Sequence, residues 1–565
     1  MITRRQLLEN GLGTIAAGTA ALSFSGALAG PAAAQSPASA AGRSLVPRSK
    51  PPARNLVVAS VAHLPIEEQT ALGVLQGLVN RVHPRVFLIH DVQDAHWLNW
   101  LRERGDIDTV KWVGPYDVLH QFRDQIRGCI VTDPSVPATV NVATFLGGLK
   151  DAVAVAPQLV EAFHLPIIED LRGRWKRNVD AYRWAYREFP SANQSALAHL
   201  NPFSSRLRDY MAQFQIFTFW LSGTKDQDGA DEIALARELF ERVGPNVPVL
   251  GWWGAHGQGP LPSIWEQGGV DLASEYGLLT VCMAWDGYCE GTTNLSVHSG
   301  TTATFQQRPA PPPPPLEDKV YYSFLRTDGD GPNFWRLEFP KLWWEPQHGH
   351  FPMNWPIGPL ASEFIPDIMD FFYKHASAND YFMAAVSGIG YIHEDCYGAK
   401  LSGEHHKASF DRFLRLTSEY MSRMDLHYIH TFKTSSDELA RQYAHAGGVQ
   451  ALFLDYNRND ATTAQNATTT IDGIPVFRTV LKGSEVGGNS WAKQVENAAA
   501  QVRMNTPTQR PAFLSVTLSN WVCQKETQSL ALIQELERQL GPEYKAVRAD
   551  HLVQLYKTHA SRPAR

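Results

Sequence analysis

The chain lacks a basic excess, a CxxC pair, a glycine-rich phosphate loop and, beyond its first residues, any long apolar run. Each absence removes a class of function. With 51 Lys and Arg against 57 Asp and Glu, the formal charge is −6. Nucleic acid requires a basic surface to meet its phosphates, so it is excluded as a partner. No segment after the N-terminal signal has about 18 uninterrupted apolar residues, so the mature chain is expected to have no membrane association. The five cysteines, Cys129, Cys282, Cys289, Cys396 and Cys523, form no CxxC spacing, so no zinc cluster is expected. The odd number leaves at least one thiol free or paired between chains, and Cys282 with Cys289 is the best local pair for a disulfide. No GxGxxG follows the first strand and no P-loop is present, so no nucleotide cofactor is expected.

What is there is a globular composition over 565 residues, 44% hydrophobic and 19% charged, with 16 Trp, 18 Tyr and 26 Phe. One core cannot serve such a length, so roughly two to four domains are expected. Residues 1–34 read as an export signal. Thr3-Arg4-Arg5-Gln6-Leu7-Leu8 resembles a twin-arginine motif, and a weakly apolar stretch ends in Ala32-Ala33-Ala34 before Gln35, a small-residue cleavage site. This predicts passage through the twin-arginine export machinery to the periplasm or beyond. Residues 35–54, rich in Ser, Ala and Pro, read as a disordered tether.

From Asn55 short apolar strands alternate with helices. Residues 56–61, 86–89, 109–113, 128–131 and 152–155 read as strands, with helices over 66–82, 97–104 and 139–149. This predicts a parallel-sheet α/β domain over 55–165. A second α/β region spans 166–307. Its segment 170–222 reads as mostly helical and aromatic, and strands are expected at 248–252 and 279–284. Arg308 to Pro315, with six prolines, favours an extended conformation and marks a linker over 308–318. Beyond it, strands are expected at 320–325, 381–386, 426–430, 451–454, 474–480, 513–517 and 545–547, with helices over 404–424 and 526–540 between them. Such alternation over 319–560 predicts a (β/α) barrel-like catalytic domain, with an open doubly wound sheet as the alternative.

In a barrel of this kind the reactive groups stand where strands end. The first strand runs into Asp328-Gly329-Asp330, the next into Ser387-Gly388-Ile389-Gly390-Tyr391 and then His393, Glu394 and Asp395. Others end at His430, at Asp455-Tyr456-Asn457 and at Ser519-Asn520-Trp521. Five polar strand ends together point to a site. Glycosidic cleavage needs one carboxyl that keeps its proton and another that is ionised. Asp328, Asp330, Glu394 and Asp395 are the candidates for these catalytic roles, with Asp455 as a further carboxylate at the site. Asp328 and Asp330, two apart, would raise each other's pKa. Sugar rings stack on aromatic faces, and Trp335, Trp343, Trp344, Trp355 and Trp521 lie near strand ends, although for each one alone core packing is the favoured reading.

These residues resemble the GxGYxYP family of putative glycoside hydrolases. The Gly388-Ile389-Gly390-Tyr391 turn, the Asp-Gly-Asp after the first barrel strand and Asn520-Trp521 carry the resemblance. Upstream, Leu75 to Arg81 and Pro137 to Ala143 are similar to the family's N-terminal domains. The resemblance covers the mature chain in order and implies action on carbohydrate. It also implies contact with substrate by Asn333, Gly388, Gly390, Tyr391, Asn520 and Trp521. The sequence departs from the family at two places. Tyr391 is followed by Ile392-His393-Glu394 where the family has x-Tyr-Pro, and Asn333 stands two residues beyond the family's Asp-Gly-Asp-Asn position. A metal-dependent deacetylase would use Asp328 and Asp330 with His393, His430, His405 or His406. No His-x-x-x-His lies near a strand end, and the calcium-loop pattern lacks its twelfth-position Glu, so no metal is expected. A non-catalytic carbohydrate-binding protein is the third alternative.

Overall fold

The structure, a computed structural model, describes residues 44–190, 193–254, 261–284, 291–434, 436–454, 462–481, 490–518 and 530–562. The expected signal and the start of the tether lie outside these residues. The described end of the tether is ordered, which corrects the sequence expectation. Val46 is buried, Ser44 Oγ donates to Glu363 and the Leu45 amide to Tyr420 Oη at 3.0 Å, while Arg48 Nε reaches the Ser299 carbonyl at 3.0 Å. Composition predicts a solvated segment, but partners distant in sequence satisfy its polar groups. Among the described residues no helix is long and apolar enough to cross a membrane.

Short apolar runs build the N-terminal sheets. In the first, β1 (Asn55–Ser60) lies between β2 (Val86–Ile89) and β3 (Thr109–Trp112), all parallel. In the second, β4 (Gly128–Val131) lies between β5 (Ala152–Val155) and β6 (Ile167–Asp170). The runs are buried at β1, β2, β4 and β5 but largely exposed at the edge strands β3 and β6. The expected single unit over 55–165 therefore holds two separate sheets. A third parallel sheet contains β7 (Asn193–His199), β8 (Ile216–Phe219), β9 (Pro248–Gly251) and β10 (Leu279–Cys282), in the order β10-β9-β7-β8. Two of its strands fall in the segment expected to be mostly helical. The aromatic residues there pack on strand and helix faces alike, and aromatics favour strands more than helices.

The C-terminal region forms one large sheet. Its strands are β11 (Val320–Arg326), β12 (Met353–Ile357), β13 (Asp380–Ala384), β14 (Tyr428–His430), β15 (Ala451–Leu454), β16 (Thr468–Ile471), β17 (Ile474–Arg478), β18 (Ala512–Leu518) and β19 (Tyr544–Ala546). The order is β16-β17-β15-β14-β13-β12-β11-β18, with β19 also on β11, and only the β16–β17 pairing is antiparallel. Just past β17, Thr479 bridges Ser515 of β18 in parallel, and the Val480 amide donates to the Ser515 carbonyl at 3.0 Å. The expected strands are present. β12, which sequence reading missed, carries Pro356, which argues against an interior strand by pattern alone.

The domains are joined by buried polar contacts as well as by apolar packing. Arg336, fully buried, meets Asp91 at 2.8 Å and Asp94 at 3.2 Å. His298 Nδ1 lies 2.8 Å from Asp367, with both side chains inaccessible. The first contact ties the start of the helix after β2 to the segment after β11, and the second ties the segment after the third N-terminal sheet to the helix before β13.

Candidate active site

β11 is buried along its whole length and delivers the chain into a turn where Asp328 takes a left-handed conformation, φ 69°. A short polar side chain tolerates that region better than a branched one. β13 leads into Ser387 (φ 69°) and Gly388 (φ 139°), the latter a conformation that favours glycine. At Gly390 the reason for glycine is space: a Cβ there would stand 2.4 Å from Leu279 Cδ1 of β10. This close approach lets Tyr391 exchange backbone hydrogen bonds with Thr280, at 2.8 and 2.9 Å. The family-type glycine turn therefore docks the C-terminal domain onto the third N-terminal sheet.

Docking brings in a side chain that the sequence did not flag. The Tyr391 hydroxyl donates to Glu266 Oε1 at 3.0 Å, and the Tyr391 ring stacks with Trp252, centroids 6.3 Å apart and planes at 26°. Glu266 opens the helix Glu266–Glu275. Burial pushes its carboxyl up to about 7, against the Tyr391 hydrogen bond, and the charge of Asp328 adds to the rise. Asp330 is raised to about 8, by burial first and then by Asp328 and Glu266. Asp328 and Asp330 are nevertheless partly exposed, so solvent reaches carboxyls that protein otherwise surrounds. Cys282, at the end of β10, is a free buried thiol pushed well up by burial and by the same three carboxylates. Cys289, the other half of the local pair considered for a disulfide, lies outside the described residues; the Cys282 thiol lies against the carboxyl cluster. Asn333 is buried and bonds the Cys282 thiol.

Behind Tyr391 lies a second group. Buried His393 contacts Asp271 through Nδ1, with Lys433 Nζ 3.1 Å from the same nitrogen, and its Nε2 lies 3.3 Å from the Tyr391 hydroxyl. Its ring stacks on Phe432 at 5.2 Å and 8°. Burial, and Lys433 beside it, lower its pKa against the opposing pull of Asp271. Glu394 is turned away from the cluster. Its two oxygens accept the Phe432 and Lys433 amides at 3.0 and 2.7 Å, and burial raises its pKa. Asp395 is exposed.

Of the sequence candidates, the structure brings together Asp328, Asp330, Asn333, Gly390 and Tyr391, while Gly388 packs against Thr417 and Phe413 of the helix Gly403–Arg423. It gives Glu394 the work of holding the turn after β14 and leaves Asp395 at the surface. Asp455, Asn520 and Trp521 lie outside the described residues. Trp335, Trp343 and Trp355 are buried in the C-terminal core, and Trp344 packs edge-on against His96, so none of these four lines the site. Among the described residues no group of three or more His, Cys, Asp or Glu is arranged to hold a metal ion. Sequence reading missed Glu266, Asp271, Trp252 and Lys433. They fall in no motif and come from helices and strand ends far apart in the chain, so only the docking of two domains reveals them.

Four domain families match the chain: GxGYxYP_N first domain over 55–124, GxGYxYP_N second domain over 126–192, GxGYxYP third domain over 195–300, and "GxGYxYP putative glycoside hydrolase C-terminal domain" over 318–557. No curated protein matches. The crystal structure of a putative hydrolase from Bacteroides thetaiotaomicron VPI-5482 is similar at 21% identity with a TM-score of 0.75, over 90% of this chain and 96% of that one. That likeness establishes a shared fold.

Proposed function

The chain belongs to the GxGYxYP family, and from that premise we propose that it is an exported glycoside hydrolase whose active site lies between the third N-terminal domain and the C-terminal domain. One observation carries the reading: Asp328 lies close enough to raise the pKa of both Asp330 and Glu266, and Glu266 adds to the rise at Asp330, beside an aromatic wall of Tyr391 and Trp252. Clustered carboxyls cannot all ionise, so one keeps its proton near neutrality while another carries charge, which is the division of labour that glycosidic cleavage requires. Asp330 and Glu266, raised to about 8 and about 7, supply the acid. Asp328, whose charge raises both, serves as base or nucleophile. Glu394 and Asp395 take no part in proton transfer. Tyr391 and Trp252 offer flat faces to a sugar ring.

The C-terminal sheet is read as barrel-like, supported by the parallel contact of Thr479 with Ser515 that leads from the end of β17 back to β18. Export rests on the Thr3–Leu8 motif and the Ala32–Ala34 cleavage signal. The test is hydrolysis of aryl glycosides and oligosaccharides by the purified full-length chain. D328N, D330N and E266Q are each expected to lose about 10²–10⁴-fold in turnover, the range for removing a general acid or base, with unchanged circular dichroism. Wild-type turnover in all three variants, or sugar binding without any product across the panel, would overturn the reading.

A further inference from the structure

Glu266 is the end of a chain of contacts that runs between two elements, the helix Glu266–Glu275 and the loop after β13. Asp271, on the same helix, meets His393 Nδ1; His393 Nε2 lies 3.3 Å from the Tyr391 hydroxyl; that hydroxyl donates to Glu266 at 3.0 Å. The groups facing this chain are Asp328 and Asp330 from the turn after β11, Cys282 at the end of β10, Lys433 after β14, and Asp395 and Cys396 on the His393 loop, the Cys396 thiol lying 3.9 Å from Asp271 Oδ1. We propose that Asp271, His393 and Tyr391 are positioning residues for Glu266, a hydrogen-bonded chain that lets one tyrosine hydroxyl serve this carboxyl whether or not it holds its proton. The inference rests on the carboxyl reading of the site.

The bookkeeping of hydrogens gives the reason. When Glu266 is ionised, the Tyr391 O–H donates to Oε1. When Glu266 is protonated, its own O–H donates to the tyrosine oxygen, and the tyrosine hydrogen needs another acceptor. The neutral Nε2 of His393 is that acceptor, provided the imidazole carries its hydrogen on Nδ1. Asp271, the closer of the two groups at Nδ1, secures that tautomer by accepting the Nδ1–H. Glu266 can then give its proton to a leaving group and later take one back while Tyr391 only rotates its hydroxyl. No other proton leaves the chain. Burial keeps His393 low enough to be neutral in this role. The conformational cost of each exchange is a hydroxyl rotation rather than a rearranged loop, because the Tyr391 backbone is pinned to Thr280.

A structural tie would need the same contacts but would not tune Glu266, so the test reads its titration directly. In pH-difference infrared spectra of the full-length protein without substrate, protonated-carboxyl absorption is expected to disappear through about 7 to 8 as Glu266 and Asp330 ionise, and E266Q identifies the Glu266 band by removing it while that of Asp330 stays. Y391F keeps the ring and its stacking but removes the hydrogen bond to the ionised carboxylate, so the midpoint moves up by about one unit. D271N moves it down by about half a unit. Lys433 then faces Nδ1 as the donor, Nε2 carries the hydrogen, and Tyr391 is committed to the ionised form. E275Q removes a charge from the same helix away from the chain and leaves the midpoint in place. Opposite shifts in Y391F and D271N support the proposal. Shifts in the same direction, D271N shifts no larger than in E275Q, or spectra from which E266Q removes no component overturn it. Because no substrate is involved, a protein inactive on every glycan would sink the hydrolase reading and leave this result standing.

Discussion

Asp91 and Asp94 face the buried guanidinium of Arg336, whereas Asp330 and Glu266 face other carboxyls and, among the described residues, no cation contributes to the shift of either. Both clusters lie where N-terminal domains meet the C-terminal sheet. In the first, although burial works against it, Arg336 holds Asp91 below the usual carboxylate range; burial and the charge of Asp91 raise Asp94, but Arg336, the His90 amide at 2.8 Å and Asn294 oppose that rise or satisfy its oxygens. In the second, burial and like charge push carboxyls up to about 7 and 8. The difference separates a joint from a site. Charge that is matched locks two domains together; charge that is left unmatched stores a proton where chemistry can use it, at the expense of stability.

Breaking the matched cluster should have the largest effect. R336M strands Asp91 and Asp94 without their cation and is expected to lower the unfolding free energy by about 3–5 kcal/mol, read from urea denaturation; a loss near zero would mean that the pairing does no work. In the unmatched cluster the sign reverses. Asp330 is raised in the folded protein to about 8, against an unfolded value of about 4. The folded state therefore holds the extra proton across that window, and stability falls as pH rises from about 4 to about 8. D330N should accordingly gain about 1–3 kcal/mol over wild type at pH 9, and the gain should vanish near pH 4; a destabilised D330N at pH 9 would contradict the comparison. E394Q should cost about 1–2 kcal/mol, because one of its two amide partners loses its acceptor, with turnover falling only through the mobility of the Phe432–Lys433 turn. D395N, exposed, should stay within about 0.5 kcal/mol by the same measurement.

The legible part of this architecture was what a single element states by itself. Apolar runs such as Val86 to Ile89 and Ala451 to Leu454 give their strands to the residue, and Asp-x-Asp after a strand marked Asp328 and Asp330. β12 was hidden because Pro356 breaks the strand pattern, yet the proline sits in a strand that pairs β11 through a short register. Glu394 shows the limit of strand-end logic: sequence tells which end of the sheet a residue occupies, but not whether its carboxyl turns toward the cluster or toward the amides of Phe432 and Lys433. Trp335 and Trp355 were ambiguous for the same reason and proved to be core. Glu266 had no signal at all, since its meaning comes from a tyrosine 125 positions later in the chain.

The central claim is that a carboxyl of the unmatched cluster carries the proton that the reaction uses. The pH–rate profile of the full-length enzyme on a glycoside with a poor leaving group tests it most directly. Turnover should fall as pH rises through about 7 to 8, the range in which Glu266 and Asp330 ionise, and E266Q or D330N should flatten or displace that alkaline limb. Activity that stays level to pH 9, with the same profile in both variants, would contradict the account.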